Sequence, residues 1–334
     1  MTEPSHHTDS RRMVMSSRRT AMKAATLSAL AFAAAGCGID ADDRRGERAA
    51  VPTPTTPSTT VQDIDIRLVV EAISDEERLL AFCATAARRF VSQRALLDGL
   101  VDRQTQHVAR LRAALTELRP PVSHSRPTVP RQQRVLAQVV AGLVIEARDA
   151  RSADCTRATS GLLAELFGAM AASHAVTGWV AGPKTAVLPV PIPDSVVNVD
   201  VLQPCLAAEH AALFGYGLLG GALSAGVSDA PPAVASVSSY NAHRDRRDAL
   251  VELITAGGRE PAPPQAAYEP PFPVAGLPSA RRLARYLEAR CATVYARAIA
   301  ATTGQSRLFV SSTLVDCAVR GARWGTPPAA FPGL

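Results

Sequence analysis

Between residues 64 and 324 the apolar positions recur at intervals of three and four in long runs, separated by breaks rich in Pro and Gly. That is the period of helices buried along one face. The pattern predicts eight of them, over residues 64–89, 92–118, 130–152 and 156–180 in a first set and 202–225, 234–256, 279–303 and 306–324 in a second. Their breaks differ in kind. Ser92 is the one candidate cap at the first, whereas RPPVSHSRPTVP cannot be helical, because each proline removes a backbone donor and blocks the preceding turn. In the second set the longest break is again the middle one, GGREPAPPQAAYEPPFPVAGLP.

Each set therefore reads short connection, long connection, short connection. Four helices with one long crossover between the second and third have the connectivity of ferritin-like bundles. The expected fold is all-α, two tandem ferritin-like four-helix bundles over residues 62–182 and 199–334, joined by a Pro-rich linker at 183–198. Composition agrees: 47% hydrophobic residues but only 4% aromatic suit close-packed, Ala-rich helices, and 334 residues suffice for two cores.

Polar residues interrupt the apolar stripes at matched depths. Residues in an antiparallel hairpin face each other when they are equally far from its turn. Glu209 and His243 are equidistant from Gly226, Glu288 and Asp316 from Thr302, Glu77 and His107 from Ser92, and Glu146 and His174 from Ser160. An inward carboxylate in such a stripe must be paired or must bind a metal. Ferritin-like carboxylate sites take a Glu from one helix of each pair and a Glu-x-x-His from the other. Here Gln104-x-x-His107, His174-x-x-Thr177, Tyr240-x-x-His243 and Asp316-x-x-Val319 all fall short of that motif. Arg247, Arg320 and Arg323 lie at helical spacing from His243 and Asp316 and offer a counter-charge. The primary expectation is thus no cofactor, with the acids neutralised by arginine, most of all in the second bundle. The alternative is iron or manganese at Glu77, His107, Glu146 and His174, with a second site at Glu209, His243, Glu288 and Asp316.

The first 61 residues read differently. SSRRTAMKAATLSALAFAAAGCG has a basic start, an apolar run too short to anchor a chain across a bilayer, and small residues before Cys37. Ser17-Arg18-Arg19 with Lys23 resembles a twin-arginine export signature, and Ala34-Ala35-Gly36-Cys37 resembles a bacterial lipobox. The reading is a signal peptide over 1–37 and a lipid on Cys37, with a Pro/Thr-rich tether at 38–61 that cannot build a core. The implied partners are the membrane, on the outer face of the cytoplasmic membrane, and an envelope protein. The net charge of +6 is concentrated partly in the signal, and no basic stripe with interleaved aromatics follows, which argues against nucleic acid. Export permits disulfides, and Cys291 and Cys317 are equidistant from Gly304 at the last turn, so a bridge between them is expected. Cys83, Cys155 and Cys205 are left without an assigned pairing. There is no phosphate loop; GYGLLGG reads as helix interior where small residues let another helix approach.

The stretches CLAAEHAALFGYG, AHRDRRDAL, AYEPPFPV, LEARCATVYA and RGARWG, followed by AFPGL, resemble the ferritin-like domain family of unknown function found in actinobacterial proteins. ISDEERLLAF and QHVARLRAAL in the first half resemble the companion bundle of exported lipoproteins of that type. The resemblance implies fold and location; the family carries no established chemistry. The functional expectation is a non-catalytic binding or structural module of the cell envelope with a degenerate ferritin-like site, and the alternative is a metal-binding oxidoreductase or metal-handling protein.

Overall fold

The computed structural model describes residues 59–115, 128–182, 190–196, 198–223 and 231–334. The expected signal, Cys37 and the tether as far as residue 58 lie outside the described residues, whereas the last three residues of the expected tether, 59–61, are helical and open α1. Among these residues are eight α-helices and no strand: α1 (Thr59–Arg89), α2 (Arg94–Ala114), α3 (Leu136–Arg157), α4 (Gly161–Ala181), α5 (Leu202–Leu223), α6 (Pro231–Ala256), α7 (Leu277–Ala300) and α8 (Gly304–Arg323). Consecutive helices pack in pairs, α1 on α2, α3 on α4, α5 on α6 and α7 on α8. The two long connections fall where the prolines place them, between α2 and α3 and between α6 and α7.

The α3–α4 boundary differs from expectation. α3 begins at Leu136 after a single tight turn over Gln133–Val135 and runs on to Arg157, so the break lies at 158–160. Its cause is a better cap. The Ser160 hydroxyl accepts the Leu163 N–H, and the Asp65 carboxylate of α1 accepts the N–H groups of Thr159 and Ser160, both at 2.8 Å. A carboxylate at that position also faces the positive end of the α4 dipole.

Thr55–Leu334 forms one compact unit. Its largest apolar cluster contains Leu68 and Ala72 from α1, Phe167 and Met170 from α4, Leu206 from α5, Leu250 from α6, Tyr295 and Ile299 from α7, and Phe309 and Leu314 from α8. Close approach of α4 to α7 explains two glycines. A Cβ on Gly161 would stand 2.2 Å from the Ala300 carbonyl oxygen, and one on Gly168 would stand 2.6 Å from Ile299 Cδ1. Buried Arg307 of α8 donates to the carbonyls of Cys155 (3.2 Å) and Ala158 (2.5 Å), which satisfies the C-terminal end of α3 from the other half of the chain.

Cys291 and Cys317 are not bridged; both are buried free thiols, Cys291 donating to the Ala208 carbonyl at 3.9 Å and Cys317 accepting from Arg246 Nη1 at 3.5 Å. Cys83, Cys155 and Cys205 are also free and buried. Burial pushes the Cys83 and Cys155 thiols up to about 12, so they stay protonated and pack as small apolar groups.

Candidate functional site

α5 and α7 bring two carboxylates to α6. Glu209, fully buried, has Oε2 at 2.6 Å from His243 Nδ1, and its Oε1 accepts the Tyr295 hydroxyl at 2.7 Å. Glu288 Oε1 accepts the Tyr216 hydroxyl at 2.6 Å and faces His243 Nε2 at 3.4 Å. Burial alone would push His243 down. Glu209 and Glu288 on its two nitrogens outweigh both that and the like charge of Arg246, and raise it to about 9. For Glu209 burial works upward, but Arg246, His243 and the Tyr295 hydroxyl together hold it below the usual carboxylate range. Burial and the neighbouring carboxylates keep both tyrosines protonated, as donors.

Arg246 completes the arrangement. Its Nε lies 3.5 Å from Glu209 Oε1 and its Nη1 lies 3.1 Å from Asp316 Oδ2, which also accepts Arg320 Nε at 2.6 Å. Three buried carboxylates, Glu209, Glu288 and Asp316, thereby meet protonated His243, Arg246 and Arg320, and Arg323 adds a further positive charge that acts on Asp316 and Glu288. The carboxylates have counter-charges within the chain itself.

A second cluster joins α1, α2, α3 and α4. Glu76, fully buried, has Oε2 at 3.1 Å from His107 Nδ1 and Oε1 at 3.0 Å from His174 Nε2. Arg151, 1% exposed, reaches Glu76 Oε1 at 3.3 Å, Asp75 at 3.1 Å and Asp154 at 2.8 Å. The far side of His107 is closed by the segment after α8: His107 Nε2 donates to the Ala330 carbonyl at 2.7 Å, and Phe331 packs 5.2 Å from the ring. Burial opposes ionisation of Glu76, yet the two imidazoles hold its carboxyl well below the usual range. Burial also pushes His174 down, partly countered by Glu76.

Of the sequence candidates, His107, His174, Glu209, His243, Glu288 and Asp316 are buried and belong to these clusters. Glu77 and Glu146 do not. Glu77 is half-buried and pairs with Arg112 at the surface, because one residue along a helix is a rotation of roughly 100° and the inward position is Glu76. Glu146 is exposed and lines an outer groove with Asp75, Arg78 and Phe82. The inward stripe of α3 runs through Val140, Val144, Arg151 and Cys155, rather than through Val139, Leu143 and Ala150. Sequence reasoning thus missed Glu76, Arg151, Asp154, Arg246 and both tyrosines. It also nominated Arg247, which pairs with Asp248 at the surface. Glu76 was recoverable, since Leu68, Ala72, Leu79 and Cys83 share its phase.

Metal donors are present in both clusters. Glu76, His107 and His174, and likewise Glu209, His243 and Cys291, place ligand atoms within 4.8 Å of one another. The second set does not fit an ion: His243 is held protonated between two acids, Arg246 supplies the positive charge, and the neighbouring Cys317 sulfur and burial hold Cys291 as a thiol. In the first set His107 has the carbonyl partner that ligating imidazoles use, whereas buried His174 Nδ1 has no partner and Glu76 is already engaged by Arg151. That cluster offers the chemistry of a two-His, one-Glu site with one carboxylate oxygen shared with a guanidinium.

Residues 201–334 match a family described as a domain of unknown function (DUF4439). No curated protein and no solved structure matches the chain.

Proposed function

We propose that this chain is an exported, lipid-anchored module of the cell envelope, built from two ferritin-like bundles whose metal positions are taken by the protein's own cations. The observation that carries this reading is the placement of Arg246 and Arg151 against the buried glutamates. Support for a ferritin-like origin comes from the repeated short-long-short connections and from a shared detail: in each half a Glu on the first helix meets Nδ1 of a His on the second. In such a module the clusters specify packing and set the relative rotation of the helices, and the surfaces do the binding. Anchoring rests on Cys37 and the signal before it; no described helix is long and apolar enough to cross a membrane.

A second reading is favoured by the three donors of Glu76, His107 and His174: that this cluster alone holds iron or manganese, which would supply redox or Lewis-acid chemistry. One experiment addresses both. Cells producing wild type or Cys37→Ser are fractionated, and the purified protein is analysed for metals. The expected result is wild type in the membrane fraction, the variant released, and iron, manganese and zinc all far below one per chain. Stoichiometric metal lost on Glu76→Gln would establish the second reading, and a variant retained on the membrane would remove the anchor.

A further inference from the structure

A cavity of about 290 Å³ lies between α4, α7, α8 and the segment Thr326–Leu334. Val176, Ala292, Ala318 and Phe331 give it apolar walls. Two of its lining residues are polar and incompletely satisfied: Glu288 Oε2 and Thr326 Oγ1 are both buried without a hydrogen-bond partner. Glu288 is 1% exposed, and its other oxygen is already occupied by Tyr216 and His243. A buried carboxylate oxygen without a donor costs about 1–3 kcal/mol, so the site favours whatever brings one.

The wall formed by Thr326–Leu334 is held in place. Thr326 N–H donates to Gly321 O at 2.9 Å, Ser173 Oγ donates to Ala329 O at 2.8 Å, and His107 donates to Ala330 O. Gly321 lies beside both Thr326 and Glu288 and leaves them room: a Cβ there would stand 3.2 Å from Thr326 Oγ1 and 3.6 Å from Glu288 Cβ.

We propose that this cavity binds a small apolar molecule carrying one hydroxyl group, whose O–H donates to Glu288 Oε2 and whose oxygen accepts from the Thr326 hydroxyl. A hydroxyl is the neutral group that both donates and accepts through one atom, which is what an acceptor-only carboxylate oxygen and a threonine hydroxyl together require. Charge selects against the alternatives. The neighbouring carboxylates already have His243, Arg246 and Arg320 as counter-charges, with the Arg323 charge acting on Glu288 as well, so an ammonium would leave an excess buried positive charge, and a carboxylate placed against Glu288 Oε2 would be repelled by it. Size is consistent: an apolar cavity of about 150 Å³ holds benzene, so an aliphatic alcohol of about six carbons fits here. The inference is independent of export and anchoring; it uses the charge-balanced cluster only for the preference of hydroxyl over amine.

The test is calorimetric titration of the full-length protein with 1-hexanol, hexylamine and hexanoate, with metal content measured on the same sample. The expectation is one 1-hexanol per chain, with the amine and the acid bound at least about tenfold more weakly. Thr326→Val should weaken 1-hexanol binding about tenfold, and Ala318→Leu should abolish it, with circular dichroism unchanged for both. If Ala318→Leu fails to fold, Thr326→Val and the three probes decide. Absence of 1-hexanol binding, meaning that the cavity takes only water, would overturn the proposal. So would equal binding of all three probes, tighter binding of the amine, or an unaffected Thr326→Val. Metal found on a sample that lacks the hydroxyl preference would assign the failure to the charge-balance reading instead.

Discussion

His243 sits between two carboxylates, and its protonation is linked to folding. Its folded-state value, about 9, lies above the ordinary 6.5, so the stability it contributes is fully present below about pH 6.5 and is lost as pH rises through about 9. Glu209 works from the other side. Held below its ordinary value, it contributes stability above the unfolded carboxyl range that is lost as pH falls through its folded value. His174 has the opposite sign to His243: pushed down by burial, it penalises the folded state below its ordinary value and ceases to do so as pH rises. Replacing His243 by Gln leaves two buried acids facing an uncharged side chain and should cost about 3–5 kcal/mol near pH 6. Urea unfolding of wild type and His243→Gln across pH should show this difference shrinking toward pH 9; a difference independent of pH would mean that His243 is neutral in the folded protein.

At the scale of elements, small residues decide how closely helices approach. The glycines of GYGLLGG behave unequally: a Cβ on Gly215 would meet Leu287 of α7 at 2.6 Å, while Gly217 has nothing within 4 Å. Gly161 is the tightest, because its neighbour is the Ala300 backbone, which cannot swing aside as a side chain can. Gly161→Ala should therefore destabilise by about 2–3 kcal/mol through forced separation of α4 and α7. Gly217→Ala, in an exposed helical position, should stabilise by up to about 1 kcal/mol. Thermal unfolding checks both, and equal effects would contradict the close approach. The elements themselves were legible in the sequence, since three- and four-residue periodicity and proline breaks are local signals, and eight helices form along these runs, with α3 displaced to Leu136–Arg157 from the expected 130–152. The site was legible only in part. Levelling residues about a turn locates depth to within a residue, but one residue changes the face, which is how Glu77 stood in for Glu76 and Arg247 for Arg246. Arg151 interrupts the α3 stripe one heptad after Val144, yet choosing it over Glu146 requires knowing which of two adjoining stripes faces inward, and that is settled by packing between helices.

Over the whole molecule, the two sets of four helices share their principal core, and the ties between them are polar as well as apolar. Arg307 caps α3 from α8, Arg323 stacks 4.6 Å over Trp179 of α4, and the segment after α8 reaches His107 of α2. The matched family covers residues 201–334, but that region closes a cluster lying wholly outside it. Each buried carboxylate in these cores is met by a side chain of the same chain, and this internal balance is the central claim. Anomalous diffraction at the iron, manganese and zinc edges, from crystals of protein purified from its native cells, tests it most directly. The account predicts guanidinium and imidazole density in contact with Glu209 and Glu76 and no anomalous peak at either cluster. A peak about 2.0–2.2 Å from Glu209 and His243 would contradict it.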